Sequence, residues 1–184
     1  MNVVLVEGEL AYDGLQLSTD FVGQHVPGGG DALVAFLGEA DVPTEHMVDL
    51  EDVEAGFSIY SPLMAHMVVE HHGMSLREGV RAQRLLVRIA AEWAAARSGA
   101  AIEIRGDDLF VLGGKLSVSI ATTSPRGVLI HLGVNVDTQG APVKAAGLRD
   151  LRVAPEEFLR GVARAYESET HSIDHAVGKV RPVR

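Results

Sequence analysis

From Leu109 onward the chain alternates. Leu109 to Leu112 is an apolar run behind Asp107 and Asp108, Gly113-Gly114 marks a turn, and Leu116, Val118 and Ile120 follow Lys115 at every second position. That period of two predicts a strand with one face in a core. Ser124 to Gly127 supplies turn residues. After it Val128, Ile130, Leu132, Val134 and Val136 share one parity, and Leu129, His131, Gly133 and Asn135 share the other. With the valine set inward, His131 and Asn135 point the same way, and Lys115, Ser117 and Ser119 are expected to line the neighbouring strand on that side. Polar groups gathered on one sheet face describe either a pocket floor or a plain solvated face.

The rest of the pattern surrounds this unit. Asn2 to Val6 predicts a short strand, and Tyr12-Asp13-Gly14 a turn leading to a hairpin partner at Leu15 and Leu17. Asp20 to Gly30 reads as a loop, and Asp31 to Leu37 as a strand. Asp49 to Ala55 suits a short helical stretch. Ser61-Pro62 resembles a cap and first helical position, which predicts a helix over 62–71. Ser75 and Glu78 form a capping box, followed by Leu76, Val80, Leu86, Ile89, Ala90 and Trp93 on one stripe. This is the longest predicted helix, 75–97, stopped by Ser98-Gly99. Ile102 and Ile104 begin another strand. Pro142 to Leu151 reads as a loop anchored by Val143, Leu148 and Leu151, and Pro155-Glu156-Glu157 opens a last helix with Phe158, Leu159, Val162 and Tyr166 inward. The expectation is an α+β fold in one domain, 1–184. A mixed or antiparallel sheet would contain strands near 31–37, 102–105, 109–112, 116–121 and 128–136, with helix 75–97 across one face.

Composition narrows the function classes. A formal net charge of -9 argues against broad binding to nucleic-acid backbones. The absence of cysteine removes disulfides, thiolate nucleophiles and Cys-bound metals, and makes the cytoplasm the default location. Charged residues or histidines interrupt every apolar run, so no membrane span is expected, and Met1 to Leu10 carries Glu7 and Glu9 rather than a basic secretory start. Gly28-Gly29-Gly30 lets backbone amides approach an anion, or serves as a mobile loop; no Walker lysine follows. On a helix, His66 and Glu70 would share a face beside His71 and offer metal ligands, against the plainer reading of a partly buried histidine cluster. His171 and His175 stand in a tail from Ser168 that either folds back over a pocket or lies in solvent.

Two resemblances follow from these residues. Gly106-Asp107-Asp108-Leu109-Phe110-Val111-Leu112-Gly113-Gly114-Lys115-Leu116-Ser117-Val118-Ser119 resembles the central motif of biotin- and lipoate-protein ligases, and His131-Leu132-Gly133-Val134-Asn135-Val136 resembles the strand that follows it in biotin ligases. Nearly the whole chain is similar to the uncharacterised, mostly archaeal family DUF366, through Tyr12-Asp13-Gly14, Gly106 to Leu109, Lys115 to Thr122, His131-Leu132-Gly133 and Lys179-Val180-Arg181-Pro182.

The ligase resemblance implies a fold related to class II aminoacyl-tRNA synthetase catalytic domains. It also implies a chemistry in which ATP and Mg²⁺ activate a small carboxylic acid that passes to a lysine of an acceptor protein. Lys115 would then hold carboxyl and phosphoryl oxygens, and Asp108 would orient Mg²⁺ or the acceptor amine. His131, with an ordinary pKa near neutrality, would donate a hydrogen bond or exchange a proton. Ser117, Ser119 and Asn135 would orient the ligand, Asp107 would stand at the rim, and Gly28, Gly29 and Gly30 would close over it. The chain departs from the pattern where those ligases carry arginines: Gln24-His25-Val26-Pro27 precedes the glycines, no arginine occurs before Arg77, and Asp107 replaces an asparagine. Transfer of an already activated acyl group therefore stands beside ATP-dependent ligation. A non-catalytic binding or scaffolding domain, homodimeric through an exposed strand, stands beside both.

Overall fold

The structure is a computed structural model and describes residues 1–141 and 143–183. Elements run in the order β1 (Asn2–Glu9), α1 (Thr19–His25), β2 (Ala32–Val42), α2 (Leu50–Ala55), β3 (Ile59–His72), α3 (Leu76–Ser98), β4 (Glu103–Arg105), β5 (Asp108–Val111), β6 (Gly114–Lys115), β7 (Ser117–Ser124), β8 (Gly127–Asp137) and α4 (Pro155–Gly178), with a single 3-10 turn at Thr44–His46. Five strands form the main sheet in the order β1-β2-β3-β8-β7, and β4-β5-β6 form a small second sheet. Among the described strands β1 and β2 run parallel, and the other neighbouring pairs are antiparallel. The fold is α+β with a mixed sheet and packed helices.

The two faces of the main sheet are covered differently. Leu33, Ala35, Met67, Val69, Ile130, Leu132 and Val134 meet α3 and α4 in the larger core. On the opposite face Val34, Phe36, Val68 and Leu129 pack with Tyr12 and with Val22 of α1. Helix α3 starts at its capping box and ends at a left-handed Gly99, as the sequence predicts. Gly79 lets its first turns settle on the sheet, because a Cβ there would lie 2.8 Å from Val128.

Three expectations fail, each for a physical reason. Residues 59–72 form the central strand rather than a helix over 62–71. With neighbours on both sides and both faces covered, this strand reads as a near-continuous apolar run, which periodicity alone does not separate from a buried helix. Pro62 is tolerated because it lies where the pairing register shifts, between Ala40–Ser61 and Gly38–Met64. No hairpin partner forms at Leu15 and Leu17: Asp13 accepts from the Leu15 N–H, and Ser18 caps α1, which occupies the expected loop. Residues 102–105 and 109–112 leave the main sheet and build the second one. The chain turns back at Leu112 and Gly113, both with left-handed φ, and re-enters the main sheet only after Lys115.

The loop before α4 is held by buried Leu148 and Leu151, while Val143 is exposed and Pro142 lies outside the described residues. Helix α4 continues to Gly178, so His171 and His175 stand on an exposed helix end; Arg184 also lies outside the described residues. Among the described residues no helix is long and apolar enough to cross a membrane.

Candidate functional site

The site is built where the small sheet hands the chain to the main one. Lys115 ends β6, pairs with Phe110, and is clamped on its other side by the loop before α4: its N–H donates to Lys144 O and its carbonyl accepts from Ala146 N–H. Gly114 has no room for a Cβ, which would lie 2.6 Å from the Ala145 carbonyl carbon. The backbone thus fixes the root of the Lys115 side chain, and the Lys115 Nζ reaches Asp108 Oδ2 on β5 at 2.9 Å. Both side chains are about one-third exposed, so the pair orients the ammonium more than it stabilises the fold.

Beside Lys115 a cavity of about 340 Å³ opens on the main sheet. Its walls include Phe57, Ile59, Tyr60, Met64, Val118 and Ala145, and its polar edge is Asp52, Ser58, Lys115 and Asn135. Asn135, nine-tenths buried, donates from Nδ2 to the Lys115 carbonyl at 3.2 Å. The α2 segment roofs the cavity. Asp52 was not singled out by the sequence, because an acid in a short helix reads as surface charge. Burial and neighbouring Asp49, Asp108 and Glu51 push its carboxyl above the usual range, against the pull of Lys115.

The pairing register sorts the predicted site residues. Val118 pairs with Gly133 and Ile120 with His131, so His131 and Asn135 share a face with Val118 and Ile120. Ser117 and Ser119 pair with Val134 and Leu132 and face the helices, one residue out of the expected phase. Leu116, between the two sheets, is where the parity changes. The Ser117 hydroxyl is taken by the Leu109 N–H at 2.9 Å, although the residue borders the cavity. The Ser119 hydroxyl donates to His131 O and accepts from Gln83. Asp107 is also drawn to α3, by Gln83 at 2.8 Å and Arg84 at 3.4 Å, and is not part of the cavity wall.

Gly28, Gly29 and Gly30 lie at the wrong end of the sheet to close over Lys115. They precede Ala32, which pairs with Glu70, whereas Asn135 pairs with Met64. Six residues of strand separate those levels, about 20 Å. Residues 49–58 cover the cavity instead.

His131 stands two residues from Gly133, which is two from Asn135, yet it opens into a separate hollow of about 40 Å³ with Tyr12, His46 and Ile120. Met64 divides the two spaces, since its Sδ lies 2.3 Å from where a Gly133 Cβ would be. Tyr12 stacks on His131 with ring centroids 4.0 Å apart, and on His66 at 4.9 Å. His66 Nε2 donates to Gly38 O, which leaves Nδ1 to accept from His131 Nε2 at 3.1 Å. Burial pushes His66 down to about 3, and burial, with His66 adding to it, holds His131 well below its ordinary value. His131 is therefore neutral near pH 7.

His66, Glu70 and His71 do not converge. On a strand His66 and Glu70 are about 13 Å apart, and His71 points to the other face, between Asp31 at 2.6 Å and Tyr166 at 2.8 Å. Among the described residues no three His, Cys, Asp or Glu side chains are placed to hold a metal ion.

The biotin- and lipoate-protein ligases share this arrangement of a mixed sheet with packed helices. The putative lipoate protein ligase Ta0514 from T. acidophilum superposes with a TM-score of 0.64 at 14% identity, over 93% of this chain and 86% of that one. At that identity the fold is what is shared. The chain itself belongs to the family described as Domain of unknown function (DUF366), which it matches over residues 1–181. A protein of unknown function from Pyrococcus horikoshi superposes with a TM-score of 0.94 at 34% identity over 100% of both chains. The uncharacterized protein MJ0805 of Methanocaldococcus jannaschii is 33% identical over 192 residues, covering 100% of this chain and 86% of the relative.

Proposed function

We propose that this protein is ligase-like or acyltransferase-like and takes a small carboxylic acid, or its activated acyl form, into the cavity beside Lys115. The observation that carries the reading is the Lys115 ammonium, fixed by backbone clamping and by Asp108 at the polar edge of an apolar-walled cavity. A carboxyl group docks its oxygens on the ammonium, and its hydrocarbon body lies against Ile59, Met64 and Val118. Asp108 acts as the positioning partner of Lys115. Asn135 orients the ligand, and His131 supports the sheet floor as a neutral ring. The ligases whose fold this chain shares act on such acids; one T. acidophilum structure carries bound lipoic acid, and another ligase structure carries bound ATP.

The residues present do not suit a triphosphate. Among the described residues bordering the cavity, Lys115 is the one cation, and Asp52 and Asp108 stand around it. A triphosphate brings several negative charges to a site whose own charges already sum to a negative value. Asp108 is engaged by Lys115. The reading therefore favours an acyl group that arrives already activated. It places the protein in the cytoplasm as a single domain, with an acceptor molecule as partner and a homodimer formed along β1 or β7, the two edges of the main sheet.

Thermal-shift titration with octanoate, lipoate, biotin and non-hydrolysable acyl-adenylate analogues, with and without Mg²⁺, tests this. Lys115→Ala is expected to weaken binding by about 30- to 100-fold, the scale of a lost charge-assisted hydrogen bond. Equal binding by wild type and mutant would remove Lys115 from the site. If none of the four ligand classes binds, the acid-binding reading is wrong.

A further inference from the structure

We infer that the acid taken by this cavity also carries an ammonium group, so that the ligand is an amino acid or another small amine-bearing acid bound as a zwitterion. This rests on the reading of Lys115 as the carboxylate holder. Two acceptor groups at the cavity have no donor. The Asp52 carboxylate, half-buried at the roof, forms no ion pair or side-chain hydrogen bond among the described residues, although Lys115 lies near enough to influence it. Asn135, at 9% exposure, spends its Nδ2 on the Lys115 carbonyl. That bond fixes the amide orientation, because the flipped form would set two carbonyl oxygens against each other. Asn135 Oδ1 is left without a donor among the described residues, at the cavity wall.

The surrounding charge does not supply one. Residues 1–76 contain no lysine or arginine, so everything from β1 through the roof to the central strand lacks a cationic side chain of that kind. Asp49, Glu51 and Glu54 add to Asp52 on the roof segment. Lys115 is held by Asp108 on its own side of the cavity. An acid without an amine satisfies Lys115 but leaves Asp52 and Asn135 Oδ1 desolvated and unpaired, which costs binding energy. A zwitterion answers both ends: its carboxylate meets Lys115, its ammonium meets Asp52 and Asn135 Oδ1, and its apolar body meets Ile59, Met64 and Val118. The volume of about 340 Å³ is at the small end for ligand cavities, and suits a molecule of amino-acid size.

Calorimetric titration with four compounds of one chain length tests this: hexanoate, norleucine, 6-aminohexanoate and hexylamine. Norleucine or 6-aminohexanoate is expected to bind at least about tenfold tighter than hexanoate, since a site built to pair a polar group discriminates against the analogue lacking it. In Asp52→Asn, whose folding is checked by its melting curve, that preference is expected to fall below about threefold while hexanoate binding is kept. Hexanoate binding as tightly as both amino acids, or an undiminished preference in Asp52→Asn, overturns the inference and leaves the carboxylate site standing. Binding of hexylamine alone, or of none of the four at millimolar concentration, overturns the carboxylate site and the zwitterion with it.

Discussion

Gly38→Ala is expected to cost about 4 kcal/mol or more of stability, at the extreme of single substitutions. A Cβ at this position would lie 1.8 Å from the Leu10 carbonyl oxygen and 2.5 Å from its carbon. These are backbone atoms, and they are fixed on both sides. Leu10 N–H donates to Leu37 O, Tyr12 N–H donates to Glu39 O, and Asp41 N–H donates to Tyr12 O. The 10–12 segment therefore lies directly on β2 and cannot withdraw without breaking those bonds. Its withdrawal would also unstack Tyr12 from His131 and from His66. Urea unfolding of Gly38→Ala beside Gly23→Ala is the measurement. Gly23 sits in α1 with nothing within 4 Å of an added Cβ, so alanine there should be neutral or stabilising. A Gly38→Ala protein within about 1 kcal/mol of wild type would mean that the 10–12 segment yields easily, contrary to its hydrogen bonding.

Acidification is expected to destabilise the protein in a range where its carboxylates are still largely ionised. The folded-state pKa of His66 is depressed to about 3 by burial, and that of His131 is depressed by burial and by His66. In the unfolded chain both titrate near 6.5. A depressed histidine contributes stability that is present in full above the unfolded value and is lost as pH falls below it, because the unfolded state then binds protons that the folded state refuses. Below that value such a histidine contributes about 1.4 kcal/mol per pH unit, so His66 removes about 2 kcal/mol between pH 7 and pH 5, and His131 adds a loss of the same sign. The Asp31 carboxyl, held below its usual range by His71 and the His72 N–H against the effect of burial, adds a loss only at lower pH. Urea midpoints at pH 7, 6 and 5 read the effect directly. His66→Gln should flatten the slope. A wild-type slope near zero across pH 7 to 5 would show that the pair takes up a proton inside the fold.

Local signals were legible where the physics is local. The capping box at Ser75 and Glu78, the Gly99 stop, the acidic first turn of α4 and the alternation of 128–136 all rest on neighbours within a few residues, and all appear in the structure. Lys115, drawn out by the resemblance, borders the cavity. Phase was less legible. Lys115, Ser117 and Ser119 have one parity in the sequence, yet the two serines face the helices because Leu116 spans the change from one sheet to the other. Asp52 carried no signal, since what sets it apart is the cavity beneath it and not its own helix.

The chain order of apolar and polar residues is enough to specify an α+β composition, the long capped helix and the last two strands, because periodicity and capping act within one element. Tertiary structure decides which strand is central, which face each polar residue takes and which histidines titrate. Residues 59–72 become a strand because β2 and β8 satisfy its backbone from both sides. His131 loses its ordinary pKa because Tyr12, from 119 positions earlier in the numbering, covers it. Such effects depend on desolvation and on partners far away in the chain, and neither is written in a local pattern.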